Sequence, residues 1–188
     1  MRKEYLEINK AVNFLKEEKL ILYPTDTVWG IGCDATSSKA IEKIYNLKRR
    51  PRNKAMICLF KNYEMLNLYI PKISNVAIHY LGNTRPTTII FDNSKGISKK
   101  AIAKDNSIAT RIPNHDFCYK LISKFGKPII STSANVSSKS FPTNFYDIKN
   151  EILDGVDYVV NLEKEKVKKI TSRIIKIDSL GKVTTIRS

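Results

Sequence analysis

Residues 23–59 read YPTDTVWGIGCDATSSKAIEKIYNLKRRPRNKAMICL, and the alternation of strand and helix within them decides the fold. Leu20 to Tyr23 is a short buried-looking strand that ends at Pro24, which has no N–H to donate to a ladder. Ser37 or Ser38 can cap a helix that carries Ala40, Ile41, Ile44 and Tyr45 on its inner face. That helix stops before Pro51, and Ala55 to Phe60 forms a second apolar strand. Outward from this unit, Ile8, Ala11, Val12 and Leu15 are spaced for one face of an earlier helix. Downstream, Thr87 to Phe91 and Ser107 to Ile112 are strand candidates. Phe117, Cys118, Leu121, Ile122 and Phe125 form a helical stripe that Gly126 is suited to cap. Ile129 to Thr132, Asp157 to Val160, Arg173 to Ile177 and Val183 to Ile186 read as further strands. Strands interleaved with helices argue for an α/β fold. The last strand pair, joined around Gly181, reads as antiparallel, so the expectation is an open, twisted, mixed sheet flanked by helices.

At 188 residues, 42% of them hydrophobic, the chain suits one domain, 1–188, with a sizeable core. A net charge of +15 points to an anionic partner: nucleic acid, nucleotide or membrane headgroups. Part of that excess is ordinary solubilising lysine. No segment approaches the ~18 consecutive apolar residues of a membrane span, and the N-terminus lacks an apolar signal core. Cys33, Cys58 and Cys118 are odd in number and lack C-x-x-C spacing, as in a reduced, cytoplasmic protein. Only His79 and His115 are present, away from the cysteines, so no metal site is expected.

Several polar strings could carry chemistry. Thr25, Asp26 and Thr27 present hydroxyls and a carboxylate at a strand end, although a capped turn is the better account of this string taken alone. Gly30-Ile31-Gly32-Cys33-Asp34-Ala35 matches a loose dinucleotide pattern. Its first glycine, however, lies seven residues past the strand end, and basic residues stand where an acidic ribose ligand belongs. Close backbone approach or a tight turn is the better account of these glycines. From Lys48 to Lys54, five of seven residues are basic. Cations complement a helix C-terminus, but unwinding at Arg50, which precedes Pro51, would let Lys48, Arg50 and Lys54 converge on one anion. In Ser131-Thr132-Ser133-Ala134-Asn135, alternation puts Ser131, Ser133 and Asn135 on one face, where a polar turn is the simpler alternative. Arg111, near a strand end, is placed to clamp a carboxylate if a crevice lies there. Cys118 falls on its helix's apolar stripe and reads as a structural thiol, not a partner for His115.

Taken in order, YPTDTVWGIGCDA, LKRRP followed by KAMICL, and GKPIISTSAN resemble the YrdC/TsaC family of threonylcarbamoyl-AMP synthases in a short, single-domain form, over about residues 20–187. The resemblance implies a nucleotidyltransferase of tRNA modification. Threonine's amine captures CO2 or bicarbonate, and the resulting carbamate attacks the α-phosphate of ATP and releases pyrophosphate. It implies Lys48 and Arg50 as catalytic residues, and Thr27, Arg111, Ser131 and Ser172 around threonine, with Arg111 on the carboxylate. It implies Arg50, Lys54, Ser133, Asn135, Phe141 and Arg187 around ATP. ATP would arrive with Mg2+ as a substrate, with no tightly held cofactor. It further implies a cytoplasmic enzyme that hands its product to a tRNA threonylcarbamoyl-transfer complex, with tRNA or other RNA as a possible ligand of the basic surface; size and solubility make a monomer the expectation. Departures from the family pattern are a Gly82-Asn83-Thr84-Arg85-Pro86 turn before the central strand, Ile170-Thr171-Ser172 near the C-terminus, and Ser138 in place of a usual glycine. The competing readings are an RNA-binding protein or a YciO-like paralogue of the same fold.

Overall fold

A computed structural model describes residues 2–52, 56–81, 84–178 and 181–188. In chain order the elements are α1 (Arg2–Lys16), β1 (Ile21–Tyr23), β2 (Gly30–Asp34), α2 (Ser38–Leu47), β3 (Ile57–Leu59), α3 (Tyr63–Tyr69), α4 (Asn75–Leu81), β4 (Thr87–Phe91), β5 (Ile108–Arg111), α5 (Asp116–Phe125), β6 (Ile129–Ser133), α6 (Asn150–Leu153), β7 (Tyr158–Val159), β8 (Arg173–Ile177) and β9 (Val183–Arg187). The strands form one sheet in the order β7-β1-β2-β6-β3-β5-β4-β8-β9. β1/β7, β3/β5 and β4/β8 pair in parallel; the other neighbours are antiparallel. The mixed open sheet is therefore the one expected.

Local chemistry explains the boundaries. The Ser37 hydroxyl accepts from the Ala40 N–H and caps α2, whose Ala40, Ile41, Ile44 and Tyr45 are buried. α5 ends at Gly126 in the left-handed region, φ +80. The β8–β9 hairpin turns at Gly181, φ +82, and the pair is antiparallel.

β2 has no simple sequence signal, because two glycines and an aspartate dilute its apolar run. Its glycines are required by close approach and not by a turn, since neither has a positive φ. A Cβ on Gly32 would stand 2.6 Å from the Tyr23 ring and 3.0 Å from the Ile130 carbonyl oxygen, and one on Gly30 would stand 2.9 Å from Ser131 Oγ. α3 and α4 were not signalled either. Each is short, and each keeps only one or two side chains buried.

The register positions the site. Gly32, Ser131, Ile57, Ala109 and Ile90 pair laterally across five strands and so share one face, with Gly30, Ser133 and Arg111 two residues along their strands on that same face. The alternate residues Ile31, Ile130, Cys58, Thr110 and Ile89 are fully buried on the other face. One face of the sheet is thus sealed by core packing. The other carries glycines, serines, Ala109 and Arg111 beside Ile57 and Ile90, and leaves room for a ligand.

Candidate active site

A cavity of about 490 Å³ opens on the face that carries Gly30, Ser131, Ser133 and Arg111. That size is ordinary for a small-molecule site. Thr27, Arg50, Arg111, Ser131, Ser133, Phe141, Ser172 and Arg187 all line it. Lys48 and Asn135 do not, and Lys54 lies outside the described residues. Met56, Ile57, Ile90, Ala109, Ile174 and Ile186 supply an apolar wall that no motif announced. They meet only because strands far apart in sequence pair in this register. Among the described residues, three arginines line the cavity and no carboxylate does.

The basic run at the end of α2 is shaped by its cap. Arg49 adopts a left-handed conformation, φ +48. The Arg50 N–H donates to Tyr45 O at 2.9 Å and the Arg49 N–H to Asn46 O at 3.1 Å, which together form a Schellman closure. The helix therefore reverses at Arg49, one residue before the expected unwinding at Arg50. The reversal splits the run. Arg49 is 78% exposed, Lys48 turns inward at 1% exposure, and Arg50 reaches the cavity. Burial lowers the Arg50 pKa from its ordinary value.

Lys48 serves the neighbouring loop. Its Nζ donates to the carbonyl oxygens of Ser133 and Asn135, and its own carbonyl accepts from the Ser137 N–H at 2.9 Å. Burial, reinforced by the Arg50 charge, pushes its ammonium down to about 7. Asn135 completes the brace. Its Oδ1 accepts from Ser133 Oγ, and its Nδ2 donates to Val136 O at 3.0 Å and Lys139 O at 2.6 Å. Ser138, in the same loop, holds φ +70, a conformation that favours glycine.

Loop 24–29 forms the opposite wall. Thr25 Oγ1 donates to Val28 O at 2.8 Å and accepts from the Thr27 N–H at 3.0 Å, so Thr25 serves the capped turn that local chemistry suggested. Arg111, only 4% exposed, donates through Nη1 to Asp26 Oδ1 at 2.6 Å and through Nη2 to Thr27 Oγ1 at 3.4 Å. Its Nε has no hydrogen-bond partner among the described residues. Beneath the loop, Lys168 Nζ donates to Thr25 O and to Glu163 at 2.8 Å, and His115 Nε2 lies 3.2 Å from Glu163. Burial, assisted by Lys168, lowers the His115 pKa. Burial acts to raise Glu163, but the Lys168 hydrogen bond and the His115 charge hold its carboxyl at about 2.

At the far end, Ser172 Oγ lies 2.8 Å from Thr88 Oγ1. Arg187 Nη2 donates to the Ser172 carbonyl at 2.7 Å, and burial lowers its pKa. Cys33, Cys58 and Cys118 are free and buried. Burial raises the Cys118 pKa well out of reach of neutral pH, and its Sγ faces the Pro24 carbonyl, not His115. Among the described residues, no group of three or more His, Cys, Asp or Glu side chains could hold a metal, and no helix is long and apolar enough to cross a membrane.

Fold and site together define an α/β protein whose mixed sheet carries a concave, arginine-lined ligand cavity. Residues 13–188 match the Sua5/YciO/YrdC family, described as telomere recombination, and the chain belongs to that family. It is 34% identical over 83% of its length to a threonylcarbamoyl-AMP synthase of Photobacterium profundum, covering 86% of that protein. It is 37% identical over 96% of its length to a putative threonylcarbamoyl-AMP synthase of Methanocaldococcus jannaschii, covering 86% of that protein. Among solved structures, it superposes on Pyrococcus abyssi Sua5 complexed with L-threonine at a TM-score of 0.82 and 25% identity, over 90% of this chain and 50% of that one.

Proposed function

We propose that the chain is a threonylcarbamoyl-AMP synthase, forming threonylcarbamoyl-adenylate and pyrophosphate from L-threonine, CO2 or bicarbonate, and ATP. The observation that carries this reading is the gathering of Arg50, Arg111 and Arg187 with Thr27, Ser131, Ser133 and Ser172 in one cavity. The names of the curated relatives and the threonine bound to the Sua5 neighbour agree with it. In this reading Arg111, Thr27 and Ser131 hold threonine at the loop 24–29 end. Arg50 and Ser133, with Lys54 as the resemblance implies, hold the triphosphate, and Phe141 and Arg187 line the nucleotide end.

The chemistry calls for no protein nucleophile. Threonine's amine attacks CO2, a carbamate oxygen then attacks the α-phosphorus, and the P–O bond to pyrophosphate breaks. Bringing carbamate and triphosphate together makes the step effectively intramolecular. Preorganised guanidinium donors stabilise the charge that builds on the phosphoryl oxygens and the leaving pyrophosphate. With no carboxylate among the described residues that line the cavity, Mg2+ would enter on the phosphates as part of the substrate. Lys48 and Asn135 act from outside, by holding the loop that presents Ser133. The synthase passes its product to the machinery that modifies tRNA.

The test is pyrophosphate release from ATP and bicarbonate with and without L-threonine, with nucleotide products resolved by mass. Threonine-dependent release with an adduct of threonylcarbamoyl-adenylate mass is expected. Release that ignores threonine, or none from folded protein, would sink the reading.

A further inference from the structure

The chain between β7 and β8 ends in Thr171 and Ser172, which line the cavity. It approaches them as a strap with little to hold it. Val167 and Ile170 are 60% and 62% exposed, so packing does not fix residues 167–171. Ser172 anchors the far end, through Thr88 Oγ1 at 2.8 Å and Arg187 Nη2 at 2.7 Å. Among the described residues, the hydrogen bonds that tie 167–171 to the rest of the protein all come from Lys168.

Those bonds reach two other walls of the cavity. The Lys168 N–H donates to Thr143 O at 2.7 Å, just past the cavity-lining Phe141. Its Nζ donates to Thr25 O and to Glu163 at 2.8 Å, and lies 3.3 Å from His115 Nε2. Three partners thus surround an ammonium that has three donors. Thr25 is 1% exposed, and among the described residues no other group donates to its carbonyl. A buried carbonyl needs a donor, and the Glu163 carboxylate makes a largely buried cation there tolerable. Loop 24–29, which Lys168 supports from below, carries Thr27 into the cavity and Asp26 onto Arg111 at 2.6 Å.

We propose that Lys168 is a positioning residue for the amino-acid substrate: by tying the strap to the Thr25 carbonyl, it sets where loop 24–29 presents Thr27 and Arg111 to threonine. Lys168 acts through that loop, since it does not itself line the cavity. Its effect falls on one end. Thr88 and Arg187 hold Ser172 without it, and the backbone bond to Thr143 survives any side-chain replacement, so loss of the ammonium loosens loop 24–29 and spares the nucleotide end.

This inference rests on the synthase reading, and its test separates the two. Lys168→Met keeps the shaft and removes the donors; Lys168→Arg keeps a donor for the Thr25 carbonyl. Both are compared with wild type in the pyrophosphate-release assay, varying L-threonine and ATP in turn. Lys168→Met should raise the KM for threonine about tenfold, as a small displacement of positioning groups does, and leave the KM for ATP within about twofold. Lys168→Arg should recover most of the loss. A lysine that serves only the fold would shift both KM values together, or lower the active fraction and shift neither. Either result, or a Lys168→Arg variant no better than Lys168→Met, overturns the proposal. If Lys168→Met does not fold, wild type still decides. Coupling between loop and strap is reciprocal, so saturating L-threonine should slow hydrogen exchange of the Lys168 amide about threefold or more, and an unchanged rate overturns the proposal. Wild type that needs threonine while Lys168→Met keeps its threonine KM refutes this inference alone. Wild type whose pyrophosphate release ignores threonine refutes the synthase reading, and this inference with it.

Discussion

Lys48 Nζ donates to the Ser133 carbonyl across 85 residues of sequence. That contact joins the end of α2 to the loop after β6 and makes the two polar segments one structure. Its second bond, to the Asn135 carbonyl, locks the loop on either side of Ala134. Lys48 is therefore a brace with a fully buried shaft, while Arg50, two residues on, faces the ligand space.

Lys48→Met keeps the shaft's volume and removes the donors. Two carbonyls lose their partner, so stability should fall by about 2–4 kcal/mol, measured by urea unfolding. A loss under 0.5 kcal/mol would show that the loop does not need this brace.

The same lysine sets a pH dependence. Its folded pKa, about 7, lies below the unfolded value of about 10.4. Between those limits the unfolded chain binds more protons, so wild-type stability should rise from pH 7 toward pH 10. The wild-type minus Lys48→Met difference isolates this group, since the remaining titrations are common to both. A flat difference curve would place the folded pKa near that of an ordinary lysine.

Arg50→Ala should slow adenylate formation by about 10²–10³ and leave the melting temperature within a few degrees, because Arg50 lines the cavity. Near-normal turnover would remove Arg50 from the machinery.

Gly32→Ala puts a Cβ 2.6 Å from the Tyr23 ring and 3.0 Å from a backbone oxygen. The ring is fully buried and the sheet backbone cannot yield, so overpacking should cost about 1–3 kcal/mol. An unchanged denaturation midpoint would mean that the ring has somewhere to go.

Ser138→Gly relieves a left-handed serine at φ +70. That conformation costs an L-residue about 1–2 kcal/mol, and glycine's extra unfolded freedom gives back part of the gain. The variant should be more stable by up to about 1 kcal/mol, without loss of activity. A destabilised variant would mean that the serine side chain makes up for its backbone.

Sequence alone determined the elements whose chemistry is local. α2 was legible because its cap, its 3.6-residue apolar stripe and Pro51 all act within a few positions. β8 and β9 were legible because alternation and a turn glycine mark them. The same holds for the polar strings that reach the cavity, since Thr27 and Arg50 lie in loops that follow an element, Arg111, Ser133 and Arg187 end their strands, and Ser131 belongs to the string that closes β6. The tertiary structure alone decided what these residues do. Gly30–Asp34 is a strand because β1 and β6 flank it, and its glycines are there for the Tyr23 ring and Ser131, neighbours that no spacing rule brings together. Lys48 and Arg50 diverge because a left-handed Arg49 turns the chain between them. Arg111 is a neutralised donor and not a bare cation because Asp26, 85 residues earlier, meets it in the fold. Local propensity acts over one or two turns of chain, whereas burial, register and charge pairing depend on which distant segments the sheet places side by side.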